Sequence, residues 1–324
     1  MKTRPFKQVD VFTDTPYLGN PLAVVLDGTE LSTEEMQHFA HWTNLSETTF
    51  LLPPTPEAAA AGADYQVRIF TTAYEMPFAG HPTLGSCHAW LQAGGQPRHP
   101  EFIVQQCPVG LVRIRHNTHP MAFAAPALKR RQPTPDVVAS LISALKLRPA
   151  QVLAAQHLTN GPHHFGLLLD SPETVAQVEP DPAALRAWLV AQDISGVGMA
   201  SVDKPASDNG LIKRSNREAR AFAGHAAPSA LDMQINPHGQ DAQTQVSVRF
   251  FANDVVVIED PVTGSFNASL AQWLIAEGWA PTTYTATQGI CLGRFGQVHI
   301  SQDETGQVWV GGTSVTCIEG HVRL

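Results

Sequence analysis

The sequence predicts an α+β fold of two similar halves, each organised around a buried helix. Three observations carry this. Short β-branched and apolar runs bounded by turn residues outnumber helical patterns. One strand–loop–helix segment recurs in the second half of the chain. The two helices that follow it are apolar on most sides, as helices inside a core are.

Residues 8–12 and 22–26 read as strands on either side of the turn-like Pro16-Tyr17-Leu18-Gly19-Asn20. Ser32 and Glu35 have capping-box spacing, and Met36, Phe39 and Ala40 then form one apolar helix face. The β-branched run over 44–52 and the alternation over 65–71 are strands, separated by a Pro/Ala-rich loop at 53–64. Thr134-Pro135 opens a helix in which Val138, Leu141, Ile142 and Leu145 follow i, i+3, i+4, i+7. Asp181-Pro182 opens another, carrying Leu185, Trp188 and Leu189, and residues 164–169 between them form a buried strand. Residues about 204–244 are polar and aperiodic and read as an irregular insertion. Short strands return at 298–300, 308–310 and 314–318.

The recurring segment is Arg68-Ile69-Phe70-Thr71 followed by Gly80-His81-Pro82-Thr83-Leu84-Gly85-Ser86. Its later copy is Arg249-Phe250-Phe251-Ala252 followed by Glu259-Asp260-Pro261-Val262-Thr263-Gly264-Ser265. Aligned on the X-Pro-x-x-Gly-Ser pattern, His81 and Asp260 coincide at an offset of 179. With proline at the first helical position, helices run over about 82–93 and 261–277, and His81 and Asp260 become their N-caps. A helix N-terminus offers free N–H groups and partial positive charge, which suits a substrate carboxylate. An isolated Asp-Pro is an ordinary N-cap, but the pair facing across a cleft can hold one substrate from two sides. By strand periodicity Glu47 shares a face with Leu45, Thr49 and Leu51. It stands either on an exposed edge or in a desolvated site, where a raised pKa would suit a proton carrier.

Several function classes are excluded. A net charge of −8 gives no footprint for nucleic acid or anionic lipid. No apolar run approaches the ~18–20 residues that span a bilayer, and no secretory h-region is present. Cys87, Cys107, Cys291 and Cys317 lack CxxC spacing and fit reduced thiols in a cytoplasmic protein. There is no GxGxxG, P-loop, HExxH or GxSxG motif, and the 14 histidines lack zinc-ligand spacing, so neither an organic cofactor nor a metal is expected.

Five blocks resemble, in order, the signatures of the PhzF-like isomerase family of phenazine biosynthesis. They are Asp10-Val11-Phe12-Thr13, Gly19-Asn20-Pro21-Leu22-Ala23-Val24-Val25, Asn44-Leu45-Ser46-Glu47-Thr48-Thr49-Phe50, Pro77-Phe78-Ala79-Gly80-His81-Pro82-Thr83-Leu84-Gly85 and Glu259-Asp260-Pro261-Val262-Thr263-Gly264-Ser265. The resemblance implies a diaminopimelate epimerase-like fold, two pseudo-symmetric halves each with a curved sheet or barrel around a central buried helix. The first half would span 1–125, completed by a C-terminal strand at about 312–324, and the second 126–311 with the insertion at about 204–244. The implied activity is cofactor-independent movement of a proton within a small carboxylate, of the dihydro-hydroxyanthranilate isomerase type, in a cytoplasmic homodimer. By motif, Glu47 matches the proton-shuttling glutamate, and His81, Asp260 and Ser265 match residues that bind and polarise the substrate. Asn20, Gly80, Thr83 and Gly264 complete the expected substrate-binding set. The competing readings are a racemase, epimerase or dehydratase of the same fold, which needs a second base, and a non-catalytic binding or scaffold protein. The lack of paired thiols beside these residues argues against a two-cysteine racemase.

Overall fold

The computed structural model describes residues 1–203, 245–253 and 259–324; the expected insertion at 204–244 lies outside them. From the N-terminus come β1 (Thr3–Val11), β2 (Asn20–Val25), α1 (Thr33–Thr43), β3 (Glu47–Leu52), α2 (Pro56–Ala60), β4 (Tyr65–Phe70) and β5 (Glu75–Met76). They are followed by α3 (Gly80–Gln92), β6 (Phe102–Cys107), β7 (Gly110–Arg115) and β8 (Ala122–Ala124). Then come β9 (Lys129–Arg131), α4 (Pro135–Ala144), β10 (Val152–Thr159), β11 (His163–Leu169), α5 (Pro172–Gln177), α6 (Pro182–Gln192) and β12 (Gly196–Asp203). The last elements are β13 (Gln245–Ala252), α7 (Gly264–Ala276), β14 (Thr283–Gln288), β15 (Gly296–Gln302), β16 (Val308–Gly311) and β17 (Ser314–Arg323).

The strands form two arrays with one pairing plan. In the first, β17, β1, β2, β3, β4, β6, β7 and β8 are neighbours in that order. In the second the order is β9 to β16 without a break. Both arrays are antiparallel except at their third and fifth pairings, β2–β3 and β4–β6 in one, β11–β12 and β13–β14 in the other. The antiparallel pair β8–β16 joins them.

One core cluster runs through both arrays and encloses α3 and α7, as their all-round apolar character requires. Leu84, Cys87 and Ala89 of α3 and Phe266, Leu270 and Leu274 of α7 are all fully buried. The leucine and phenylalanine side chains among them contribute roughly 1.5–3 kcal/mol each on burial. The outer faces are covered separately. α1 has the expected capping box and packs Met36, Phe39 and Ala40 against Phe50 and Phe70. On the second array Leu141, Leu185, Trp188 and Leu189 cover Phe165 and Val197.

Three sequence expectations need correction. The 53–64 loop contains α2, because the Thr55 hydroxyl accepts from the Ala58 N–H and Pro56 starts the turn. Neither His81 nor Asp260 is an N-cap: α3 begins at Gly80 on Ala79, and α7 begins at Gly264 on Thr263. Pro82 sits inside the first turn, where its missing N–H would have been unpaired anyway, whereas Pro261 precedes the helix. The repeat therefore has a different register. Glu75-Met76-Pro77-Phe78-Ala79-Gly80 corresponds to Glu259-Asp260-Pro261-Val262-Thr263-Gly264, an E-x-P-x-x-G motif repeated at an offset of 184. Matching contacts fix it. Arg68 binds Glu75 through two hydrogen bonds of 2.8 and 2.6 Å, and Arg249 binds Glu259 through two of 2.9 and 2.8 Å. Each guanidinium also lies over a ring, Phe70 at 5.0 Å and Phe251 at 4.9 Å. In this register the counterpart of His81 is Ser265.

Candidate active site

The two central helices start against each other. A Cβ on Gly80 would stand 2.6 Å from both Cα and the carbonyl carbon of Gly264, and one on Gly264 would stand 2.9 Å from Cα of Gly80. Only glycine allows two backbones to come this close. No side chain caps either helix, so the first-turn N–H groups of both keep their hydrogen-bonding capacity and partial positive charge. A cavity opens at this junction. Glu47 and His81 line it from the first array, Asp260, Ser265, Phe250 and His164 from the second.

Nε2 of His81 lies 3.3 Å from Oε2 of Glu47, and Nδ1 lies 3.3 Å from Nδ2 of Asn20. The Asn20 amide nitrogen also donates to Oδ1 of Asp260 at 2.8 Å and to the Val262 carbonyl at 2.9 Å. An amide NH₂ cannot accept, so Nδ1 of His81 must be bare and the ring proton must sit on Nε2, facing the Glu47 carboxylate. Burial pushes the His81 pKa down to about 3, which keeps the ring neutral. The pair is thus a carboxylate beside a neutral N–H donor.

Asp260 is held from three sides. Its carboxylate accepts from Asn20 and, at 2.6 Å, from the Thr263 hydroxyl, and its backbone N–H donates to the Phe250 carbonyl at 2.9 Å. Burial pushes its pKa up to about 6, while the hydrogen bonds from Thr263 and Asn20 hold it down in part. The Thr263 hydroxyl is aimed at Asp260 by Gln288, whose Nε2 donates to that hydroxyl and to the Asp260 carbonyl, each at 3.0 Å. Oε1 of Gln288 accepts from the Thr263 N–H at 3.1 Å and from the Asn267 amide at 2.9 Å.

Of the residues expected from the sequence, Glu47, Gly80, His81, Asp260, Gly264 and Ser265 all border this cavity. Asn20 lies behind it and ties His81 to Asp260. Thr83 is fully buried away from the cavity, donating to the Ala79 carbonyl at 2.9 Å and accepting from Gln105 at 3.1 Å. Sequence reasoning missed Thr263, Gln288, His164 and Asn160, whose amide donates to the Ser265 carbonyl at 2.8 Å. Thr263 stood inside the repeat and could have been found there; the others lie on strands or loops distant in sequence. Among the described residues no three His, Cys, Asp or Glu side chains are grouped to hold a metal ion.

The PhzC-PhzF family model, described as phenazine biosynthesis-like protein, matches residues 9–320. The chain belongs to this family. Antisense-enhancing sequence 1 of Schizosaccharomyces pombe is 30% identical over 334 residues, 99% of each chain. An uncharacterized isomerase of Pasteurella multocida is 30% identical over 94% of this chain and 89% of its own. The trans-2,3-dihydro-3-hydroxyanthranilate isomerase of Pseudomonas aeruginosa is 33% identical over 55% of this chain and 61% of its own. Among solved structures, a PhzF family phenazine biosynthesis protein of Bacillus anthracis superposes with a TM-score of 0.74 at 20% identity, over the full length of both chains. A probable proline racemase of Agrobacterium radiobacter gives 0.60 at 11% identity, covering 99% and 93%. The fold is therefore the expected α+β, diaminopimelate epimerase-like one, and the PhzF-family chain is an enzyme with isomerase or epimerase-like function. No helix among the described residues is long and apolar enough to cross a membrane.

Proposed function

We propose that the protein is a cofactor-independent isomerase in which Glu47 moves a proton between two carbons on one face of a small carboxylate. The observation that carries this reading is an asymmetry between the two arrays. In the parallel pair β2–β3, Glu47 is opposite Leu22; in the matching pair β11–β12, Gly196 is opposite His164. The counterpart of Glu47 is thus Gly196, where a Cβ would stand 2.3 Å from the Phe250 ring. The second wall has no room for a carboxylate at this level. Asp260, the other carboxyl of the cavity, is held by Asn20 and Thr263. This suits a shuttle by one base, whereas inversion at a carbon needs a free base on each side.

The substrate carboxylate binds the uncapped N–H groups where α3 and α7 meet. Glu47 takes a proton from carbon, the electrons of that C–H bond shift into the adjacent π system, and Glu47 returns the proton to a second carbon of the same system. The neutral His81 ring, with Nε2 3.3 Å from Oε2 of Glu47, walls the carboxylate on one side, and Asp260 and Ser265 hydrogen-bond polar substituents of the substrate. The Pseudomonas relative's name suggests trans-2,3-dihydro-3-hydroxyanthranilate as the compound type. The family resemblance also implies a homodimer, expected to sediment at twice the chain mass of 35.0 kDa.

Glu47→Gln keeps the shape and removes the proton carrier. It should lower turnover of that dihydro-hydroxyanthranilate by roughly 10²–10⁴-fold, with binding of benzoate, a simple ring carboxylate, retained. Turnover at the wild-type rate would eliminate Glu47 as the shuttle and leave Asp260 as the leading base.

A further inference from the structure

We propose that His164 is a specificity residue that hydrogen-bonds an uncharged hydroxyl of the carboxylate substrate, at the end of the cavity formed by the second array. The inference rests on the functional reading above.

The described chain buries three histidines, and two of them have polar neighbours within 3.3 Å of a ring nitrogen. His81 meets Asn20 and Glu47, and His157 meets Arg131 at 3.2 Å and His163 at 3.1 Å. His164 is 3% exposed and lines the same cavity as Glu47, yet no hydrogen bond to either ring nitrogen is formed among the described residues. Phe250 and Phe266 fix the ring edge-on, with centroids at 5.0 and 5.9 Å and interplanar angles of 77° and 71°. Across the parallel ladder stands Gly196, which offers no side chain. A buried polar group without a partner is costly and uncommon in a folded interior, so one held in the wall of a cavity points to a partner that arrives with the ligand.

The chemistry of that partner follows from the ring. Burial holds the His164 pKa at about 3, so the imidazole is neutral and presents one donor and one acceptor. Whichever of the two nitrogens faces the cavity, a hydroxyl can meet it, because it can either donate or accept; the carboxylate is already provided for at the helix starts. The first array's polar groups serve proton transfer and the second array's His164 reads the ligand, a division that the Glu47-to-Gly196 asymmetry makes possible.

Benzoate and its 2-, 3- and 4-hydroxy isomers are the probes, titrated calorimetrically against wild type, His164→Phe and His164→Gln. At least one isomer should bind wild type about tenfold more tightly than benzoate, the size of one well-made hydrogen bond at a desolvated site. That preference should fall to within about twofold in His164→Phe and survive in part in His164→Gln. If no isomer is preferred by wild type, or if His164→Phe keeps the preference, the His164 assignment is overturned while the carboxylate site stands. If none of the four binds wild type, the carboxylate site falls and His164 with it. Should His164→Phe fail to fold, ¹⁵N-imidazole spectra of wild type decide. The His164 nitrogens should shift with the preferred isomer and not with benzoate, and no difference between the two refutes the proposal.

Discussion

Gly80→Ala tests whether the meeting of α3 and α7 is what builds the site. Two effects oppose each other. Alanine in place of glycine favours a helix by roughly 0.5–1 kcal/mol. Against this, the new methyl would lie 2.6 Å from Cα and the carbonyl carbon of Gly264 and 2.8 Å from N of Ser265. These are backbone atoms of a buried helix start and cannot rotate away. Restoring an ordinary 3.4 Å contact requires the helix starts to separate by about 0.8 Å (3.4 less 2.6). Overpacking of this kind costs about 1–3 kcal/mol, so a net loss near 1–2 kcal/mol is expected in urea denaturation. The effect on rate should be larger in proportion, because a displacement near 1 Å at a reacting centre can cost about 10²-fold. Gly320, whose Cβ would meet nothing within 4 Å, is the control; its alanine variant should stay within about 0.5 kcal/mol of wild type. A Gly80→Ala protein as stable and as active as wild type would refute the claim that this contact positions the catalytic groups.

The remaining predictions concern charge. His164 has a folded pKa near 3, below its unfolded value of 6.5, so the stability it contributes is present above pH 6.5 and lost as pH falls toward 3. His164→Phe should flatten the rise of unfolding free energy with pH over that window by up to one proton, about 1.4 kcal/mol per pH unit. Asp260 is opposite in sign: with a folded pKa near 6 above an unfolded 3.8, its contribution is present below pH 3.8 and lost as pH rises through 6. Asp260→Asn should therefore steepen the rise between pH 4 and 6, and an unchanged or flatter slope in urea titrations would contradict the burial of this carboxyl. Arg249→Ala should cost about 3–5 kcal/mol, because it strands Glu259, each side chain being 10% exposed. Arg68→Ala, whose pair with Glu75 is 21% and 28% exposed, should cost about 1 kcal/mol. Equal losses would show that burial does not set the difference.

Local signals were readable where a short stretch settles its own structure. Ser32 and Glu35 specify the start of α1, and Met36, Phe39 and Ala40 are its buried residues, as their spacing requires. Asp181 caps α6 through the Ala183 and Ala184 N–H groups, and Leu185, Trp188 and Leu189 are its inner face. The repeat was visible, but its register was not. Alignment on Pro82 and Pro261 assumed that proline marks the first helical position, whereas the Arg–Glu pairs and the Gly80–Gly264 contact decide the correspondence in space. No local pattern could show that Gly196 stands where Glu47's counterpart would be, since that follows only from the pairing of β11 with β12. For the same reason Gln288, on β14, gave no sign of directing Thr263 toward Asp260.

The pairing of β1 with β17 also constrains the order in which the protein can be made. Lys7 meets Glu319 at 2.8 Å across 312 residues of chain. One flank of β1 is taken early by β2, but the other must wait until β17 has been synthesised. At ~5–20 residues per second that delay is roughly 15–60 s. Throughout it the nascent chain carries an open strand edge, the kind of surface that pairs with other chains. The first array to leave the ribosome is therefore among the last parts of the molecule to close, and the interval before closure is when the chain most needs protection from its neighbours.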